Sequence, residues 1–157
     1  MQKVKPCLWF NYNADEALDF YSKVFKNFEV TSRSKYGPNM PGPEGALLTA
    51  EFRIEDQELM ALNAGPAFKF TEAASIIVYC EDQAEVDMLW EKLAQGGEVQ
   101  QCGWLKDKYG LSWQIIPRQL GEMMSDTDPA KAGRAMKAML QMKKIDIAKI
   151  KEAYEGS

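Results

Sequence analysis

Apolar positions along the chain recur with two different periods, and the two periods alternate in a repeating order. Val4 to Tyr12, with Leu8, Trp9 and Phe10 at its centre, reads as a strand. Asn13 then stands where a helix cap belongs, with Glu16 placed to close a capping box. Ala17, Leu18, Phe20, Tyr21, Val24 and Phe25 follow at helical spacing. Three strands are predicted next, over Phe28 to Tyr36, Ala46 to Ile54 and Glu58 to Asn63. The loop Gly37 to Gly45 separates the first two, and Glu55-Asp56-Gln57 turns between the last two.

The second half runs through the same order. Ala74 to Cys80 is a predicted strand. Asp82 caps a helix, with Glu85 in the capping-box position and Val86, Leu89, Trp90 and Leu93 on its apolar face. Gly96-Gly97 ends that helix. Val99 to Cys102, Trp104 to Lys106 and Leu111 to Ile116 are three further predicted strands. The two helices align as EALDFYSKVF on EVDMLWEKLA. A weak residue match inside a shared element order is the mark of an internal repeat, here β-α-β-β-β.

The segment Cys102 to Pro117, CGWLKDKYGLSWQIIP, is a hairpin carrying Trp104 and Trp113. Strand alternation decides which of its side chains share a face. Asp107 sits in the turn and is expected to hold it. Beyond the repeat, Asp128-Pro129 starts an amphipathic helix bearing Ala132, Ala135, Met136, Met139 and Leu140, and Asp146 caps a last short one. The methionine row reads as core or dimer contact. These helices are expected to lie over the chain's own sheets or a partner's. The basic row Lys131, Arg134 and Lys137 reads as a solvated helix face.

Composition narrows the chemistry. The 157 residues suffice for a core without disulfide or metal. A net charge of -4 lacks the cationic excess that non-specific nucleic-acid binding needs. There is no histidine, which removes Ser-His-Asp and Cys-His catalysis and the commonest ligand of first-row metals. Cys7, Cys80 and Cys102 form no CxxC pair and read as free buried thiols in a reducing compartment. MQKVKPCLWF has no long apolar region of a signal peptide, and no run reaches the ~18 apolar residues that span a bilayer. A cytoplasmic protein bound to neither nucleic acid nor membrane is expected.

The paired repeat, the helix NADEALDFYSKVF, the hairpin GWLKDKYGLSWQIIP and the tail RAMKAMLQMKKIDIAKIKEAYEG resemble the PhnB-like branch of the vicinal oxygen chelate superfamily. That superfamily includes glyoxalases, bleomycin-binding proteins and dioxygenases. The subgroup resembled is the demethylubiquinone 3-methyltransferase-like one. The resemblance implies an α+β fold of two β-α-β-β-β modules, over 1–66 and 67–120, each an open curved, glyoxalase-like sheet. The C-terminal helical tail at 121–157 follows. A homodimer and a ligand held inside the cup of the sheets are also implied. Metal-using members place ligands at positions equivalent, to a residue or two, to Pro6, Ala61, Ser75 and Gln114, and only Gln114 is a plausible ligand there, its amide oxygen a weak one.

No metal and no cofactor is therefore expected. The first strand runs into Tyr12-Asn13-Ala14-Asp15 without a glycine, so a Gly-rich S-adenosylmethionine loop is missing and methyl transfer is disfavoured. The pocket candidates are Trp9, Asn63, Phe68, Phe70, Ser75, Trp104, Trp113 and Gln114. If Trp9 and Trp113 pack on the helices, Gln114 and Ser75 point inward. Tyr36 and Tyr109 are the only side chains suited to proton transfer, and neither has a partner evident in sequence. The reading is a metal-free binder of a small aromatic or apolar molecule. The alternatives are an enzyme of the superfamily, or a methyltransferase as the subgroup label says, with unknown catalytic residues, and a structural or regulatory dimer with an occluded cup.

Overall fold

The computed structural model describes residues 1–156. Two four-stranded mixed sheets share one strand order. In the first unit, Met1–Phe70, β1 (Cys7–Phe10), α1 (Ala14–Val24), β2 (Phe28–Lys35), β3 (Leu47–Ile54) and β4 (Gln57–Asn63) give the order β1-β4-β3-β2. In the second, Thr71–Ser157, β5 (Ser75–Cys80), α2 (Gln83–Ala94), β6 (Glu98–Val99), β7 (Trp104–Lys106) and β8 (Ser112–Pro117) give β5-β8-β7-β6. In both, the first strand pairs parallel with the last and the other neighbours are antiparallel. The repeated β-α-β-β-β order is thus the one the sequence pattern predicts, and the α+β, glyoxalase-like architecture of open curved sheets the one the resemblance implies. The tail belongs to the second unit: α3 (Arg118–Met124), α4 (Pro129–Met139) and α5 (Ile147–Glu155).

Each helix covers one face of its own sheet. Alternation sends Ala50, Phe52, Leu59 and Ala61 toward Ala17, Leu18 and Tyr21 of α1, and all are buried. Leu105, Trp113 and Ile115 are buried likewise with Val86, Leu89 and Leu93 of α2. Each such side chain contributes roughly 1.5–3 kcal/mol of burial. The opposite faces carry no helix of these two pairs, and the candidate site lies on one of them.

Several elements differ from the sequence reading, each for a physical reason. Strand β1 starts at Cys7, not Val4: Pro6 has no N–H for the ladder, although its carbonyl accepts from Met60 N at 2.9 Å. It stops before Tyr12, whose φ of 55° is left-handed. Asp82 caps α2 as expected, with Oδ1 accepting from Glu85 N, and Glu85 Oε2 accepts from Glu81 N. Asn13 does not cap α1; Asn63 Oδ1 takes the Ala14 N–H instead, at 3.1 Å. Gly97 is required by close approach, since a Cβ there would lie 2.1 Å from the Lys106 carbonyl oxygen.

Strand β6 is two residues, Glu98–Val99, rather than a strand reaching Cys102. Cys102 and Gly103 both have positive φ, and their N–H groups donate to Met142 O and Lys143 O, each at 2.8 Å. The tail is bound from the other side by Gln83, whose Nε2 donates to Ile145 O and whose Oε1 accepts from Ile147 N. Leu120, Ala135, Ile145 and Ile150 form the tail's own core, with Ile116, Met139 and Met142 packed on it. Of the expected methionine row, Met136 alone is largely outside, at 47 % exposure. Helix α3 has no counterpart in the sequence reading; Leu120 buried in that core accounts for it. All three cysteines are free, and Cys7 is exposed rather than buried. Among the described residues no helix is long and apolar enough to cross a membrane.

Candidate functional site

The second sheet presents a row of three side chains on the face opposite α2. Ile77 pairs with Gln114, and Gln114 with Trp104, in successive strands β5, β8 and β7. Paired residues share a face. The next row carries Ser75, Ser112 and Lys106. Tyr79 continues the first strand of this surface, and Ile77 and Tyr79 are 43 % and 53 % exposed. Such contiguous exposed apolar side chains mark interaction surfaces more often than isolated ones do. Inside this patch Gln114 Nε2 donates to Ser75 Oγ at 2.9 Å. Lys106 forms an ion pair with Glu72, which raises the Lys106 pKa and lowers that of Glu72. Glu98, the register partner of Lys106, adds to the effect on the ammonium.

Trp113 faces the other way. It is 1 % exposed and donates its indole N–H to Asp107 Oδ2 at 2.9 Å. Asp107 Oδ1 accepts from Tyr109 N and Leu111 N, so this carboxylate fastens the hairpin turn that carries Trp104 and Gln114. The structure therefore brings Ser75, Trp104 and Gln114 together and puts Trp113 in the core beneath them.

In the first unit Trp9 lies on the face opposite α1, in register with Leu62. Its Nε1 donates to Gly65 O at 2.8 Å, and its ring meets Phe68 edge-on at 4.9 Å. Phe70 packs edge-on against Phe10 at 5.3 Å. Asn63 is buried, and its amide is spent on Ala14 N and Leu47 O. The Tyr36 hydroxyl donates to the Asn63 carbonyl at 2.7 Å.

The first sheet also holds a feature the sequence reading passed over. Lys5 Nζ lies 2.7 Å from Glu51 Oε1 and 3.8 Å from Glu58 Oε2. These groups line a shallow cavity of about 300 Å³ with Thr31, Phe52 and Leu59. The Glu51 hydrogen bond raises the Lys5 pKa, and Lys5 lowers that of Glu51. The one local signal was Glu51 in the middle of β3, on the face opposite Ala50 and Phe52.

Comparison with known proteins matches residues 2–116 to the family model described as 3-demethylubiquinone-9 3-methyltransferase. The chain belongs to that family. The PhnB protein of Bacillus cereus is 38% identical, with a TM-score of 0.68 over 74% of this chain and 99% of its own. A protein of Pseudomonas aeruginosa is 24% identical, with a TM-score of 0.61 over 74% of this chain and 98% of its own. The fosfomycin resistance protein FosX of Listeria monocytogenes, complexed with Mn(II) and sulfate ion, shares the fold at 15% identity. Its TM-score is 0.53, over 74% of this chain and 91% of its own. The family match and the Bacillus cereus relative place the chain in the vicinal oxygen chelate superfamily, and the FosX likeness shows the shared fold. No curated protein matches it.

Superfamily membership raises the question of a metal, and the family description that of a methyl donor. The donor set fits no first-row cation: among the described residues no group of three His, Cys, Asp or Glu could hold one. Gln114, the one donor at a position matching the superfamily's ligands, is bonded to Ser75. Nor do the residues fit a Gly-rich S-adenosylmethionine loop. The chain leaves β1 through Tyr12 and Asn13, and Gly97 is used to bring the end of α2 onto Lys106.

Proposed function

We propose that this member of the family is a metal-independent binding protein for a small, largely apolar or aromatic molecule, held on the open face of the second sheet. The observation that carries the reading is the Gln114–Ser75 hydrogen bond set between the exposed Ile77 and the half-buried Trp104. Ligand sites combine mostly apolar walls with a few placed polar groups, and this surface has both. Trp104 stacks or edges against the bound ring, and the dyad orients it. The carboxylate beside this surface, Glu72, is ion-paired with Lys106, which lowers its basicity, so binding rather than turnover is the reading.

Tryptophan fluorescence of the full chain, titrated with uncharged aromatic molecules, tests it. A saturable change is expected that disappears in Trp104→Phe and is the same with added Mn²⁺ or with chelator. A panel that produces no saturable change would refute the reading. Dependence of binding on a divalent ion would refute its metal-independent part. Titration with S-adenosylmethionine is expected to give no saturable signal.

A further inference from the structure

We infer that the ligand of the second sheet is an uncharged fused-ring heterocycle with a lactam edge, an N–H and a C=O side by side. The inference rests on the binding reading above and names its ligand class. Gln114 and Ser75 spend one hydrogen bond on each other. With the amide nitrogen donating, the Ser75 hydroxyl keeps its proton to give, and Gln114 Oε1 keeps its lone pairs. With the amide turned round, Gln114 supplies the donor and Ser75 Oγ the acceptor. Either way the dyad offers at least one donor beside an acceptor. A lactam edge satisfies both at once, whereas a carboxylate has no proton to give and a plain ring satisfies neither.

Charge and size point the same way. The only cation in the adjoining row, Lys106, is ion-paired with Glu72 and lies opposite Glu98, so the row carries no uncompensated positive charge. An anionic ligand would meet two carboxylates there and lose its hydration. The row Ile77–Gln114–Trp104 crosses three strands, two spacings of about 4.8 Å, or ~10 Å. That is the breadth of a fused bicycle rather than of a single ring. Ile77 and Trp104 then flank the ring system, and the dyad meets its polar edge.

Ligand-observed NMR titration of the full chain with 2-quinolone, 1-methyl-2-quinolone and 2-naphthoate tests the inference. The three share a bicyclic frame. The second lacks the N–H, and the third is an anion. 2-Quinolone is expected to bind at least about fivefold more tightly than either, the factor one neutral hydrogen bond supplies. Gln114→Leu is expected to abolish the preference while leaving residual binding of the shared frame. If that variant misfolds, the comparison of 2-quinolone with its methylated form on the native chain still decides. Equal binding of all three overturns the lactam inference and leaves the binding reading standing. No saturable binding by any of the three overturns both.

Discussion

Replacing Asp107 by Ala removes three hydrogen bonds at once. The carboxylate is 2 % exposed and accepts from Tyr109 N at 2.9 Å, Leu111 N at 3.1 Å and Trp113 Nε1 at 2.9 Å. Bonds to a charged group contribute roughly 1.5–3 kcal/mol each, and buried donors left unpaired cost about 1–3 kcal/mol each. The three share one acceptor, so their losses do not add; the backbone amides regain part through water as the turn relaxes. Trp113 is fully buried and cannot regain its partner that way. A loss of about 3–5 kcal/mol is expected, at the exceptional end for one substitution. At about 2–4 °C per kcal/mol for a chain of this size, Tm falls by roughly 6–20 °C. Asp107→Asn should cost less, about 1–3 kcal/mol, because its carbonyl still accepts the two amides while its NH₂ opposes the indole N–H. Urea unfolding followed by tryptophan fluorescence reads both variants. A cost below about 1 kcal/mol for Asp107→Ala would show that the carboxylate does not hold the hairpin, whatever its geometry.

Two other buried groups make separate predictions. Asn63→Asp keeps the acceptor for Ala14 N but loses the donor to Leu47 O and aims a carboxylate at that carbonyl. The new carboxyl should titrate above the ordinary range, so stability is retained below the unfolded pKa of about 4 and falls as pH rises through the folded one. Its urea midpoint should drop more at pH 7.5 than at pH 4.5, and equal drops would refute the assigned bonds. Burial pushes the Cys80 thiol from 9.0 up to about 12, with Glu85, Asp82 and Glu81 adding to the rise. The native state thus holds a neutral thiol where the unfolded chain ionises. The stabilisation it brings is complete below about pH 9 and declines toward pH 12, by at most ~1.4 kcal/mol per pH unit. Cys80→Ala should flatten that alkaline decline in urea midpoint, and an unchanged slope would count against the burial argument.

Strand and helix periods made the paired β-α-β-β-β order legible because both are set within a few residues of chain. Alternation alone separates Trp113 from Gln114, and it put Gln114 and Ser75 on a shared face once β5 and β8 pair in parallel. What was not legible depends on partners far off in sequence. Asn13 and Asp82 carry the same capping pattern, yet only Asp82 caps, because Asn63 reaches the first turn of α1 from 49 residues away. The Lys5–Glu51 pair joins residues 46 apart, and no local period announces it.

The sharpest case is the end of β6. Val99 to Cys102 has the composition of a strand, but the chain turns from β6 into β7 within it: Gln100 N donates to Trp104 O and Trp104 N to Gln101 O. The N–H groups of Cys102 and Gly103 go instead to the carbonyls of Met142 and Lys143, at the link between α4 and α5. The two N–H groups at the tip of that turn have no ladder partner in β7 and must find acceptors elsewhere. The tail supplies those acceptors and brings Ile145 against Ile116 and Leu120 in the same step. The sheet therefore ends where the tail docks. These two hydrogen bonds add to those of Gln83 in holding the tail, and the Cys102 donor is one that the sequence pattern assigns to a strand.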